Sequence, residues 1–211
     1  MPKQERSERT LERLVVSAAE RFAAEGFVRA TLADVSRSAG VTKGALFFHF
    51  QSKDELADAV QARGQDILES ALEELRGLKP VFVQVVVDVT HELNHLLRSD
   101  PFVRASVRIT RERAPGTATP LDFYPLWLGR LWQLLEDARV NGELGRSVTD
   151  DTARTLVTAA VSGVETLVWM GVPHPETTRW LSSLWDLVLP LLLPHEPEVD
   201  VRTTAPRALD H

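Results

Sequence analysis

The chain has 211 residues, 44% hydrophobic and 26% charged, with a net charge of −6 and no cysteine, which excludes disulfides, thiolate nucleophiles and cysteine-ligated zinc. Residues 1–53 carry nine Lys/Arg against six Asp/Glu, and the remainder fifteen against twenty-four, so a basic end that suits phosphate sits on an acidic body. No apolar run reaches the eighteen or so residues of a membrane helix and the first residues are polar, so neither a span nor a signal peptide is expected and the expected location is the cytoplasm.

Taken in chain order, the pattern is helical throughout. Leu11, Leu14, Val15, Ala18, Ala19, Phe22 and Ala23 form one apolar stripe at helical spacing, closed by Gly26 as a left-handed cap. Thr31 caps a second, short helix with Asp34 in its first turn and Leu32, Val35 and Ala39 on its apolar face. Gly40 and Val41 break it. Thr42 caps a third helix from Lys43 to about Phe48, and Ser52 with Glu55 forms the capping box of a fourth that ends at Gly77.

Val81 to Leu97 is apolar nearly all round, and its period leaves helix and strand both open. Pro101 opens a helix through Arg113, and residues 113–120 read as loop. Tyr124 to Val140 is amphipathic and stops at Asn141-Gly142. Thr149 caps a helix that ends near Gly171. A last helix from Pro175 carries Trp180, Leu181, Leu184, Trp185, Val188 and Leu191. From Pro194 onward three prolines and no apolar period predict a tail without order.

The fold class expected is all-α. A three-helix helix-turn-helix head (residues 1–52) is followed by a helical body (53–193) and a tail (194–211). In a helix-turn-helix the third helix enters the major groove with its N-terminal residues foremost. Thr42 then offers a hydroxyl to phosphate, and Lys43 reaches a guanine edge or a phosphate. Gly44 and Ala45 are small enough for close backbone approach. Leu46 and Phe50 read as core, and Lys53 as a phosphate contact.

The run Thr31 to Lys53, T-L-A-D-V-S-R-S-A-G-V-T-K-G-A-L-F-F-H-F-Q-S-K, closely resembles the TetR family of repressors. Within it, V-T-K-G-A-L-F-F-H-F is most similar to the gamma-butyrolactone receptor branch. The resemblance implies a DNA-binding set of Thr31, Thr42, Lys43, Gly44, Ala45, Phe47, Phe48, His49 and Lys53. Many members have Tyr at the place of Phe47, and its phosphate-bonding hydroxyl is absent here.

The likeness continues more loosely through Phe102-Val103-Arg104-Ala105, Arg111-Glu112 and Tyr124-Pro125-Leu126-Trp127. It implies that Trp127 lines an effector cavity for a butyrolactone, butenolide or related furan, although sequence does not rank it above Trp132. Gln84, Thr110, Thr158 and Ser162, polar positions on apolar helices, are the further lining candidates. A repressor of another small molecule, or one with no diffusible effector, fits the same head. The implied partners are a double-stranded DNA operator, a small-molecule effector and a second copy of the chain, whose interface the last two helices supply through Trp180 and Trp185. No membrane partner, cofactor or metal is expected.

One motif competes. His91-Glu92-Leu93-Asn94-His95 matches H-E-x-x-H, in which two histidines at i and i+4 hold zinc and the glutamate acts as base. No third ligand stands at a defensible spacing, Asp100 and Glu112 being only possibilities, so the expectation is a chain without catalysis.

Overall fold

A computed structural model describes residues 3–78, 81–113, 119, 121–194 and 200–206. Among the described residues the regular elements are all helices: α1 (Lys3–Glu25), α2 (Leu32–Ser38), α3 (Lys43–His49), α4 (Lys53–Gly77), α5 (Phe82–Ser99), α6 (Pro101–Glu112), α7 (Phe123–Val140), α8 (Asp150–Trp169) and α9 (His174–Leu192). The expected fold class holds. So do the short-range signals. Thr31, Thr42 and Thr149 each accept a backbone N–H three residues on, and Gly26, Gly40, Gly142 and Gly171 take positive φ where helices end. Most of the loop expected at 113–120 lies outside the described residues.

The chain forms two compact units, Met1–Leu68 with Asp100–Leu126, and Glu69–Ser99 with Trp127–His211. In the first, α1 packs on α2, α3 and α6. Leu14, Phe22, Phe27, Val35, Leu46, Phe50, Leu56, Val60 and Ile109 are buried together. Gly64 of α4 meets α6 closely. A Cβ there would lie 2.3 Å from Ser106 Oγ and 3.0 Å from the Phe102 carbonyl oxygen, so only glycine lets the helices approach this far. Asp100 caps α6 by accepting from the N–H groups of Phe102 and Val103, with Pro101 in the first turn.

In the second unit α5 packs against both α8 and α9. Val83, Val85, Val86, Val87, Val89, Leu93 and Leu97 are all buried. The segment that periodicity left between helix and strand is therefore a helix covered on most sides. Trp185 faces inward, 1% exposed, and its Nε1–H donates to Thr90 Oγ1 at 2.9 Å. It is core and not surface, unlike Trp180.

The C-terminal segment departs from expectation. Residues 200–206 lie on α5, and the Gln84 side-chain amide grips the Arg202 backbone from both sides. Nε2 donates to its carbonyl (3.0 Å) and Oε1 accepts from its N–H (2.7 Å). Arg202 also pairs with the buried Asp88. Val201 and Pro206 are buried. Prolines and the lack of period concealed this order, because polar partners on α5 hold the backbone and no apolar stripe is needed.

Candidate nucleic-acid interface

The head presents α3 outward. Leu46 and Phe50 are buried as expected, while Thr42, Lys43, Gly44, Phe47 and Phe48 are exposed and Ala45 and His49 half-buried. Phe48 is 80% exposed, a large apolar ring in water with the His49 ring edge-on beside it, centroids 5.1 Å apart. Phe47 is 44% exposed, with the Lys43 ammonium 5.7 Å from its ring centre. A Cβ on Gly44 would meet only Thr42 Oγ1, at 3.9 Å, so the outer wall of the helix is bare there. Thr42 Oγ1 accepts from Ala45 N and keeps its proton to donate.

On α2, Thr31 accepts from Asp34 N at 3.1 Å. The Thr31 hydroxyl bond to the Asp34 carboxylate, reinforced by Arg37, holds that carboxyl below the usual carboxylate range. Thr31 is thus a cap with its hydroxyl engaged.

Lys53 departs from its expected role. Its Nζ donates to the carbonyls of Phe27 (2.8 Å), Val28 (3.2 Å) and Ala30 (3.3 Å) and lies 4.5 Å over the Phe27 ring. An ammonium has three donors, and all three are taken. Lys53 ties the start of α4 to the α1–α2 turn and has no proton left for phosphate.

Sequence reasoning missed the buried arginine that shares this turn. Arg113 closes α6 with its side chain 4% exposed. It donates to Asp58 (2.8 Å), Gln61 Oε1 (3.2 Å), Thr119 Oγ1 (3.3 Å) and the Asp54 carbonyl (3.4 Å), and its guanidinium lies 5.8 Å from the Phe27 ring centre. One turn earlier Arg108 donates to the carbonyls of Ala23 and Ala24, and Glu112 accepts from Val28 N. The end of α6 therefore grips the turn between α1 and α2. Little in the local sequence marks these residues, since Asp58, Gln61, Ala23, Ala24 and Val28 are all distant along the chain.

The five effector candidates lie in different local settings. Trp127 of α7 is buried, 4% exposed. Gln84 holds Arg202. Thr110 Oγ1 accepts from Gln61 Nε2 and Phe123 N. Thr158 and Ser162 share, with Trp132 and Arg154, the wall of an open groove of about 450 Å³ on the second unit.

The H-E-x-x-H residues are divided in their surroundings. His91 is buried, with Nε2–H donating to the Thr203 carbonyl at 2.9 Å, and burial holds its imidazole below the ordinary range and hence neutral. Burial, with Glu74 adding, pushes the Glu92 carboxyl up to about 7. His95 lies edge-on to His174, ring centres 6.1 Å apart. Among the described residues no three His, Asp or Glu side chains could hold a metal ion.

Known proteins agree with this head. Residues 14–60 match the family of bacterial regulatory proteins named tetR. The solved structure of full-length TylP, a TetR regulator from Streptomyces fradiae, is 32% identical over 88% of this chain and 87% of its own, with a TM-score of 0.64. A gamma-butyrolactone receptor, described as ArpA-like, is 25% identical over 89% of this chain and 90% of its own, with a TM-score of 0.72. The A-factor receptor protein of Streptomyces griseus is 27% identical over 90% of this chain, which spans 66% of that relative's length. These relatives are named as regulators or receptors, none as an enzyme.

Proposed function

Because the chain belongs to the TetR family of transcriptional regulators and is related to its gamma-butyrolactone receptors, we propose that it is a cytoplasmic, homodimeric repressor. It binds a (pseudo)palindromic operator and is released from it by a small gamma-butyrolactone, butenolide or furan signal. One observation carries the DNA reading. The helix α3, anchored by Leu46 and Phe50, turns Lys43, the bare Gly44, Phe47 and Phe48 to solvent at the basic end of the chain. Lys43 suits a guanine edge or phosphate, and Phe48 suits a thymine methyl. Residues 1–52 act as the DNA-reading head in this account and the remaining helices as the effector and dimer body.

An exposed face of α9 supports the dimer. Trp180, Leu184, Leu187 and Leu191 are exposed at i, i+4, i+7 and i+11, one apolar stripe of the kind that a second copy covers. Two heads related by a two-fold axis reach half-sites about 34–36 Å apart. Trp127 is kept as an effector-lining residue, because its buried indole offers a flat apolar face to a lactone or its alkyl chain. Gln84 and Thr110 have structural tasks instead. Release is a population shift, driven by the effector's preference for a conformation whose heads do not fit the operator. A mobility shift on the DNA upstream of the protein's own gene, with and without a gamma-butyrolactone, tests both halves. A shifted band that the lactone abolishes supports the reading; no shift at low salt refutes it.

A further inference from the structure

The first turns of α1 lie outside the core of the head. Leu14 is the first buried residue of the helix, and none of residues 4–13 is buried. At 1.5 Å per residue, residues 4–13 form about 15 Å of helix without a buried residue. What the segment carries is charge sorted by face. At 100° per residue, Arg6, Arg9 and Arg13 fall within about 60° of arc, and Glu5, Glu8 and Glu12 within a similar strip about 100° further round. All six are exposed.

Arg13 shows which way the basic strip faces. Its Nη2 lies 3.5 Å from the carbonyl oxygen of Gly40, in the turn that leads through Val41 and Thr42 into α3. Gly40 has φ 62°, and a Cβ there would come within 2.7 Å of the same Nη2. Bare glycine lets arginine and turn meet. The strip therefore starts beside the entry of α3 and continues along α1 through Arg9 and Arg6.

We propose that Arg6 and Arg9 form a second DNA-contacting surface, which seats phosphates of the duplex backbone beyond the bases reached by α3. It rests on the reading of the head as DNA-binding. Guanidinium groups suit the task, since their forked donors match phosphate oxygens in pairs. The glutamates, turned to a neighbouring face, do not oppose the phosphates. Such contacts add affinity without sequence preference and make binding more salt-dependent.

The test measures affinity for a random-sequence DNA duplex by fluorescence anisotropy over a range of salt. It compares the full-length wild type with Arg6→Gln/Arg9→Gln, with Arg6→Lys/Arg9→Lys, and with Arg146→Gln/Arg179→Gln as an equal loss of charge elsewhere. The α1 glutamine variant is expected to have a log K against log salt slope shallower by about 1.8 for each head on the duplex, about 3.6 for a dimer with both heads bound, at roughly 0.9 per lost phosphate contact. Its melting temperature should be unchanged, since neither arginine touches the core. The lysine variant and the control should keep the wild-type slope. A wild-type slope in the α1 glutamine variant, an equal loss in the control, or a shallow slope in the lysine variant would each overturn the proposal. If the wild type binds no duplex, the DNA reading of the head fails as well, which separates the two failures.

Discussion

Arg113 donates to the Asp58 carboxylate at 2.8 Å, from a side chain that is 4% exposed. This pairing joins the C-cap residue of α6 to the first turns of α4, and the same guanidinium serves Gln61 and Thr119. Removing the arginine leaves Gln61 Oε1 and the Asp54 carbonyl without its N–H donors, while Asp58, 41% exposed, can turn to water, so the cost is about 1–3 kcal/mol. Arg113→Met is therefore expected to lower the urea midpoint of unfolding, with an unchanged slope. A midpoint within error of the wild type would show that water reaches Gln61 and the Asp54 carbonyl as well.

Lys43 and Lys53 stand ten residues apart and have opposite tasks. Lys43→Ala should weaken operator binding by about 1–3 kcal/mol and leave the melting temperature unchanged, because the side chain is exposed and reaches for a base or phosphate. Lys53→Ala should do the reverse. Three carbonyls lose their donor, so stability falls, while the salt dependence of DNA binding per folded molecule stays as it was. Anisotropy titrations beside thermal melts check both. A stable Lys53→Ala with a shallower salt slope would restore the phosphate role.

Phe47 is half out in solvent on α3, where a hydroxyl could reach the backbone of a bound duplex. Phe47→Tyr is expected to tighten operator binding by about 0.5–1.5 kcal/mol, the ordinary worth of one added hydrogen bond. Equal gel-shift midpoints for the two proteins would place the phosphate out of reach.

Glu92 gives a pH test with a definite sign. Its carboxyl is raised in the folded state from 4.5 to about 7 by burial, with Glu74 adding. Between those values the folded chain holds a proton that the unfolded chain releases. The wild type therefore loses stability as pH rises through that window and bears the full penalty above it. Glu92→Gln carries no such proton. Its melting temperature relative to the wild type should be higher at pH 8 than at pH 5, and its DNA binding should be intact, since Glu92 has no catalytic task. A pH-independent difference would mean that Glu92 titrates normally.

What the sequence made legible is what depends on near neighbours. The caps at Thr31, Thr42 and Thr149 and the turn glycines are three- and four-residue signals, and each appears in place. The core roles of Leu46 and Phe50 follow from the same short helix. Residues whose partners are remote were misread. Lys53 follows the recognition helix and looked like a phosphate contact, but its carbonyls lie 23–26 residues back. Gln84 looked like a cavity lining because it is polar on an apolar helix, yet its partner is Arg202, 118 residues on. Trp127 and Trp132 could not be ranked by period. Burial separates them, the first enclosed and the second 36% exposed beside an open groove.

The proposed linkage between lactone and DNA binding is tested most directly by the operator Kd with and without a saturating gamma-butyrolactone. A coupling of about 1–3 kcal/mol is expected, which weakens DNA binding by roughly 5–150-fold. Trp127→Ala should shrink that factor without changing the lactone-free Kd. Equal Kd values with and without every lactone, butenolide and furan tried, on DNA that the wild type binds tightly and specifically, would contradict it.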